Sequence, residues 1–113
     1  MPASTVPVAG TRKAIRTSTD FGSGLDYGPS RRWCNRCTIQ WISGGELYLG
    51  LQKPIGVADT VSSTVNDIVL NSSNPSFTIG PSSGEGGNDV DLGGTYLDAS
   101  VSGTAYRYAP VSV

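Results

Sequence analysis

No window of this sequence repeats apolar residues at the three- and four-residue intervals of a helix; they fall into short alternating runs cut apart by glycine and proline. The clearest run is Arg36 to Ile42, where Cys37, Ile39 and Trp41 alternate with Thr38 and Gln40, as a strand buried on one face requires. GGELYLGL continues with Leu47, Leu49 and Leu51 on one face and Glu46, Tyr48 and Gly50 on the other. Ser43-Gly44-Gly45 between the two runs predicts a hairpin. Tyr96 to Val101 and Thr104 to Tyr108 form a further pair, with Ser102-Gly103 reading as a second hairpin turn. Thr11–Thr19, Ile68–Leu70 and Phe77–Ile79 bring the expected strands to about seven, the spacing of a sandwich or barrel.

With 113 residues the chain supports one core. Two Glu, two Lys and one Met leave few helix formers, while 15 Gly and 7 Pro supply turns. The expectation is an all-β protein: a small antiparallel β-sandwich or barrel over residues 11–113, preceded by an extended N-terminal arm at residues 1–10. MPASTVPVAG carries two prolines and no periodic pattern, so it is not expected to pack into a core. Gly80 to Asn88, GPSSGEGGN, holds no large apolar residue and reads as a surface loop. DFGSGLDYGPS reads as a turn-rich connector anchored by Phe21, Leu25 and Tyr27.

A net charge of −1 argues against nucleic acid as the partner. The sum hides an asymmetry. Arg12, Lys13, Arg16, Arg31, Arg32, Arg36 and Lys53 dominate the first half, whereas Asp59, Asp67, Glu85, Asp89, Asp91 and Asp98 face only Arg107 in the second. Neighbouring strands pairing their charges across one sheet would account for it, as would complementarity between subunits. No apolar run approaches the roughly 20 residues that span a bilayer, and the opening residues carry neither a charged start nor an apolar stretch. Synthesis and assembly in the cytosol, with no membrane partner, follow as expectations.

Histidine is absent, which removes the commonest general base and metal ligand. Asp89, Asp91 and Asp98 could be proposed as paired carboxylates, but they fall beside a glycine-rich loop and on an outward strand face, where solvated charge is the simpler reading. The NDVDLGG run offers Asn88, Asp89 and Asp91 as hard ligands without the spacing of a calcium loop. In CNRC, Cys34 and Cys37 have no third or fourth ligand in the same chain, so two reduced thiols are expected, Cys37 packing as a small hydrophobe, with a zinc site shared between subunits or a disulfide as the alternatives. The expectation is a non-enzyme with no catalytic residue, no metal and no cofactor. PSRRWCNR, by contrast, joins arginines to a tryptophan, the residues enriched where protein surfaces bind one another.

Read together, FTIGPSSGEGGNDVDLGGTYLDASVSGTAYRY resembles the closing strands of small virion proteins of tailed phages, and TRKAIRTSTDFG, CTIQWISGG and ELYLGL resemble their opening strands. The likeness covers roughly Thr11 to Tyr108. It implies a structural role as a capsid decoration or cement protein on the head surface of a virion assembled in the host cytoplasm. The implied partners are the major capsid protein and further copies of the chain, a trimer being favoured. A tail, connector or fibre-base component is the alternative, and a carbohydrate-binding or adhesin module the second. On this reading the capsid and subunit contacts come from the arm and the basic cluster: Pro2, Val6, Pro7, Val8, Arg12, Arg31, Arg32, Trp33 and Arg36.

Overall fold

The computed structural model describes residues 3–16, 33–81 and 87–112. Along them run β1 (Ser4–Thr5), β2 (Lys13–Ala14), β3 (Trp33–Cys34), β4 (Arg36–Ser43), β5 (Leu47–Gly50), β6 (Ile68–Leu70), β7 (Ser76–Ile79), β8 (Val90–Asp91), β9 (Tyr96–Ala99) and β10 (Ala105–Val111). Two short 3₁₀ turns, Ala58–Thr60 and Leu92–Gly94, complete the elements. The expected all-β class holds. A front sheet in the order β1-β10-β4-β7 and a back sheet in the order β2-β9-β5-β6 are both antiparallel, and β3 pairs with β8 in a separate ribbon. Among the described residues no helix is long and apolar enough to cross a membrane.

Each expected run forms a strand within the described residues, but neither expected hairpin forms. β4 lies in the front sheet between β10 and β7, β5 in the back sheet between β9 and β6. Likewise β9 belongs to the back sheet and β10 to the front. Both turns are arches that carry the chain from one layer to the other, and they are tied together: the Gly45 amide donates to Thr104 Oγ1 at 3.1 Å and the Glu46 amide to Ser100 Oγ at 2.8 Å. Gly44 makes this possible. Its φ is +101°, and a Cβ there would sit 2.8 Å from the Thr104 Cα, so a side chain would force the arches apart.

The inward faces meet where the alternation directs them. Ile39, Tyr106 and Tyr108 of the front sheet pack against Leu47, Leu49 and Leu97 of the back sheet in one buried cluster. β5 departs from simple alternation because all four of its residues are buried. Its outward face is roofed by the Ala58–Thr60 turn and Val61, and Gly50 permits the approach: a Cβ there would meet the Ala58 carbonyl at 2.7 Å and Val61 Cβ at 2.8 Å.

Within the expected arm, Ser4 and Thr5 form an edge of the front sheet. Ser4 and Thr5 pair with Tyr106 and Ala105, the Val6 amide donates to the Thr104 carbonyl at 3.1 Å, and the Gly103 amide donates to Val6 O at 2.8 Å. Val6 is fully buried in the core cluster. One apolar side chain at the end of a paired edge is enough to dock a segment without periodicity, since its burial contributes about 2 kcal/mol.

Candidate interaction site at the loop end

The registers give the sandwich two unlike ends. Ser43–Leu47, Asn71–Pro75 and Ser100–Thr104 make tight crossings at the arch end. The connection 51–67, residues 80–81 and 87–95, and the β3–β8 ribbon gather at the loop end.

At that end residues 51–67 leave β5 and return to β6 as a tightly bonded loop. Asp67 Oδ2 accepts from the Leu51 amide at 2.8 Å and the Val57 amide at 2.9 Å. The Gly56 amide donates to Gln52 O at 3.1 Å and the Ala58 amide to Leu51 O at 2.9 Å. Gln52 Oε1 accepts from the Asp91 amide at 2.8 Å, fastening β8 to the loop. At its tip, between Pro54 and Gly56, Ile55 is 92% exposed. A held loop that presents an aliphatic side chain to water loses little further entropy on binding.

Beside the tip is an apolar cleft of about 330 Å³, walled by Leu51, Pro54, Ile79, Pro81 and Val90 and rimmed by Lys53, Ile55 and Asp89. A second cleft of about 320 Å³ lies beyond Gln52 and Lys53, lined by Asp59, Asp91, Gly93, Gly94 and Tyr96. Its charged groups have structural duties. Lys53 Nζ lies 2.6 Å from Asp59 Oδ1, and that hydrogen bond, with Arg12 nearby, holds the Asp59 carboxyl below its ordinary value. Asp91 Oδ1 accepts from the Gly93 amide at 2.9 Å and caps the Leu92–Gly94 turn. The charge asymmetry therefore finds cations of the first half beside a carboxylate of the second in this loop, off the sheets. Arg107 stands opposite Gln40 and Lys13 opposite Leu97.

Cys34 and Cys37 are both free thiols with no exposed surface. Burial, reinforced by the Asp91 carboxylate, pushes Cys34 up to about 11; burial beside Cys34 pushes Cys37 up to about 12. Thiols held protonated this firmly are poor nucleophiles and poor ligands. Among the described residues no three Cys, Asp or Glu side chains converge to hold a metal ion. Trp41, the stacking platform of a sugar-binding reading, is half-buried, and its indole N–H donates to Gly45 O at 2.7 Å.

The residues singled out in the sequence divide. Trp33 and Arg36 lie at the loop end and are exposed. Arg12, also exposed, faces Asp59 beside the back sheet. Pro7 and Val8 are exposed at the arch end, away from the cluster they were grouped with. Val6 is no contact residue, because it is buried in its own domain. Pro2, Arg31 and Arg32 lie outside the described residues, as do the connector Asp20–Ser30 and residues 82–86 of the glycine-rich loop. Sequence reasoning missed Ile55, whose signal was a lone aliphatic residue bracketed by turn formers in Lys-Pro-Ile-Gly. Comparisons with family models, curated proteins and solved structures return no match.

Proposed function

We propose that this chain is a non-catalytic structural protein of a tailed-phage virion, a capsid decoration protein that lies on the head through the outer face of its front sheet. One observation carries the reading: the back sheet has its outer face roofed at β5 by the chain's own Ala58–Thr60 turn and Val61, whereas among the described residues the front sheet is left open. The exposed residues across that open face include Arg36, Thr38 and Gln40 of β4, Ser76 and Thr78 of β7, and Arg107 and Ala109 of β10. Apart from Val111, exposed on the same face opposite Arg36, they are small or polar, with two arginines and, among the described residues, no carboxylate. A flat face of this kind suits an acidic protein surface, to which arginine offers paired donors. The likeness to phage virion proteins supports the same reading, its closing segment running through β7 to β10. Many weak contacts repeated over a shell stabilise it by avidity without chemistry.

Two measurements test this. Mass spectrometry of density-purified virions from the producing host should find the chain at a copy number matching capsomers. The variant Arg36→Glu with Arg107→Glu should fold normally yet fail to co-sediment with heads stripped of the protein, whereas wild type binds them and loses affinity with added salt. Absence from virions, the few copies of a tail ring, or unimpaired binding by the double variant would each defeat the assignment.

A further inference from the structure

We infer that β7, an edge of the front sheet, pairs antiparallel with β7 of a second copy about a two-fold axis, so that the two front sheets continue as one. Natural sheet edges are kept very short, charged, or interrupted by proline, because bare backbone groups recruit other strands. Among the described residues, three of the four edge strands of the two layers follow that rule. β1 and β2 span two residues each, and β2 carries Lys13. On β6 the Val69 carbonyl accepts from the Asn74 side-chain amide at 3.0 Å. The stretch of β10 beyond its pairing with β1 contains Pro110, which has no N–H to offer. β7, Ser-Phe-Thr-Ile, is the longest of the four edges and holds no charge, no proline and no bulge.

The ladder shows which groups that edge presents. The Trp41 amide donates to the Pro75 carbonyl at 2.6 Å, so by alternation Phe77 and Ile79 turn their backbone groups toward β4, while Ser76 and Thr78 turn theirs outward. Those outward groups bond to nothing among the described residues, and donors and acceptors at this spacing match another extended strand. The same alternation makes the edge self-complementary. With the axis at Phe77, Ser76 of each copy stands opposite Thr78 of the other, and four backbone hydrogen bonds close between them. Phe77 then meets its own counterpart at the close, non-hydrogen-bonded position, where aromatic pairs contribute most. That side chain is only half-buried, packed on the core cluster from its margin, and the second ring covers what its own chain leaves bare. Because β7 is uncharged, nothing repels a second copy. The outer face of the front sheet stays open in such a pair, so the inference holds whether or not that face lies on a capsid.

Sedimentation velocity and light scattering on the full chain over a concentration series test it. Wild type should reach twice the 11.7 kDa chain mass. Thr78→Pro, whose missing N–H faces away from β4, removes two of the four bonds between copies and should weaken association roughly thirtyfold. Ser76→Lys with Thr78→Lys sets like charges opposite one another and should leave monomers, whereas Ser76→Glu with Thr78→Lys sets opposite charges there and should keep the pair. Both side chains are exposed, so circular dichroism and the thermal midpoint of the charge variants should match wild type. A wild-type chain that stays monomeric, a trimer, a double-lysine variant that still dimerises, or a mixed-charge variant that does not would each overturn the proposal.

Discussion

The arch end and the loop end of the sandwich are built on opposite principles. At the arch end the chain crosses between layers in a few residues, and neighbouring arches bond to one another through Thr104 and Ser100. At the loop end it wanders, and distant carboxylates and amides, chiefly Asp67 and Gln52, hold the excursion in place. The first arrangement contributes to stability and leaves little to bind with. The second leaves Ile55 and a cleft in the open, its rigidity supplied by Asp67 at the loop's far end and by Gln52, which is bonded to the Asp91 amide.

The largest effect belongs to the arch end. Removing residues 1–8 strips β1 and empties the Val6 site, at about 2 kcal/mol for the buried side chain and about 1 kcal/mol for each of its two backbone hydrogen bonds. A thermal midpoint lowered by about 20 °C is expected, whereas a dispensable arm would leave it unchanged. Gly50→Val, where the excursion meets the back sheet, should lose about 3 kcal/mol in chemical denaturation, because its side chain occupies the space of Ala58 and Val61. Asp67→Ala removes one acceptor from two amides and should cost about 2 kcal/mol. Hydrogen exchange should localise that loss to Leu51 and Val57 while the arch-end amides stay protected. Should protection fall equally at both ends, the distinction between them fails.

The last effect is electrostatic and confined to alkaline pH. Folded Cys34 and Cys37 keep their protons to about pH 11 and about pH 12, while the unfolded chain releases them near the ordinary value of 9.0. The unfolded state therefore binds fewer protons above pH 9. Stability is intact below that value and falls as pH rises toward 11 and 12, by at most about 1.4 kcal/mol per pH unit for each thiol. Tyr48, pushed up by burial and by Glu46, acts in the same direction. Cys37→Ala should flatten the alkaline slope measured by urea denaturation, and an unchanged slope would assign it elsewhere.

Alternation made the longer strands legible, since Cys37, Ile39 and Trp41 could face one way only if the backbone were extended. Pairing was not legible. Ser43-Gly44-Gly45 and Val101-Ser102-Gly103-Thr104 carry turn residues that serve a hairpin and a layer-crossing arch equally well. The choice is made by partners far along the chain, such as Ala99 for Leu47 and Tyr108 for Ile39. The two-residue strands β1, β2, β3 and β8 are too short to show a period. Val6, alone between Thr5 and Pro7, gave no sign that the core would claim it. That Cys37 would pack in the core was readable from its place in the alternation with Ile39 and Trp41. The Ile55 loop was hidden because its organiser, Asp67, stands sixteen residues from the amide of Leu51.

Among the described strands, β5 and β6 alone are both consecutive and paired; every other ladder joins segments from remote parts of the chain, Ser4 with Tyr106 at the extreme. Neither layer can assemble ahead of its counterpart, since each crossing commits a strand to both. Such a molecule should renature slowly for its size, in milliseconds to seconds, and in a single concerted step. No half-built layer would then persist with bare edges open to aggregation.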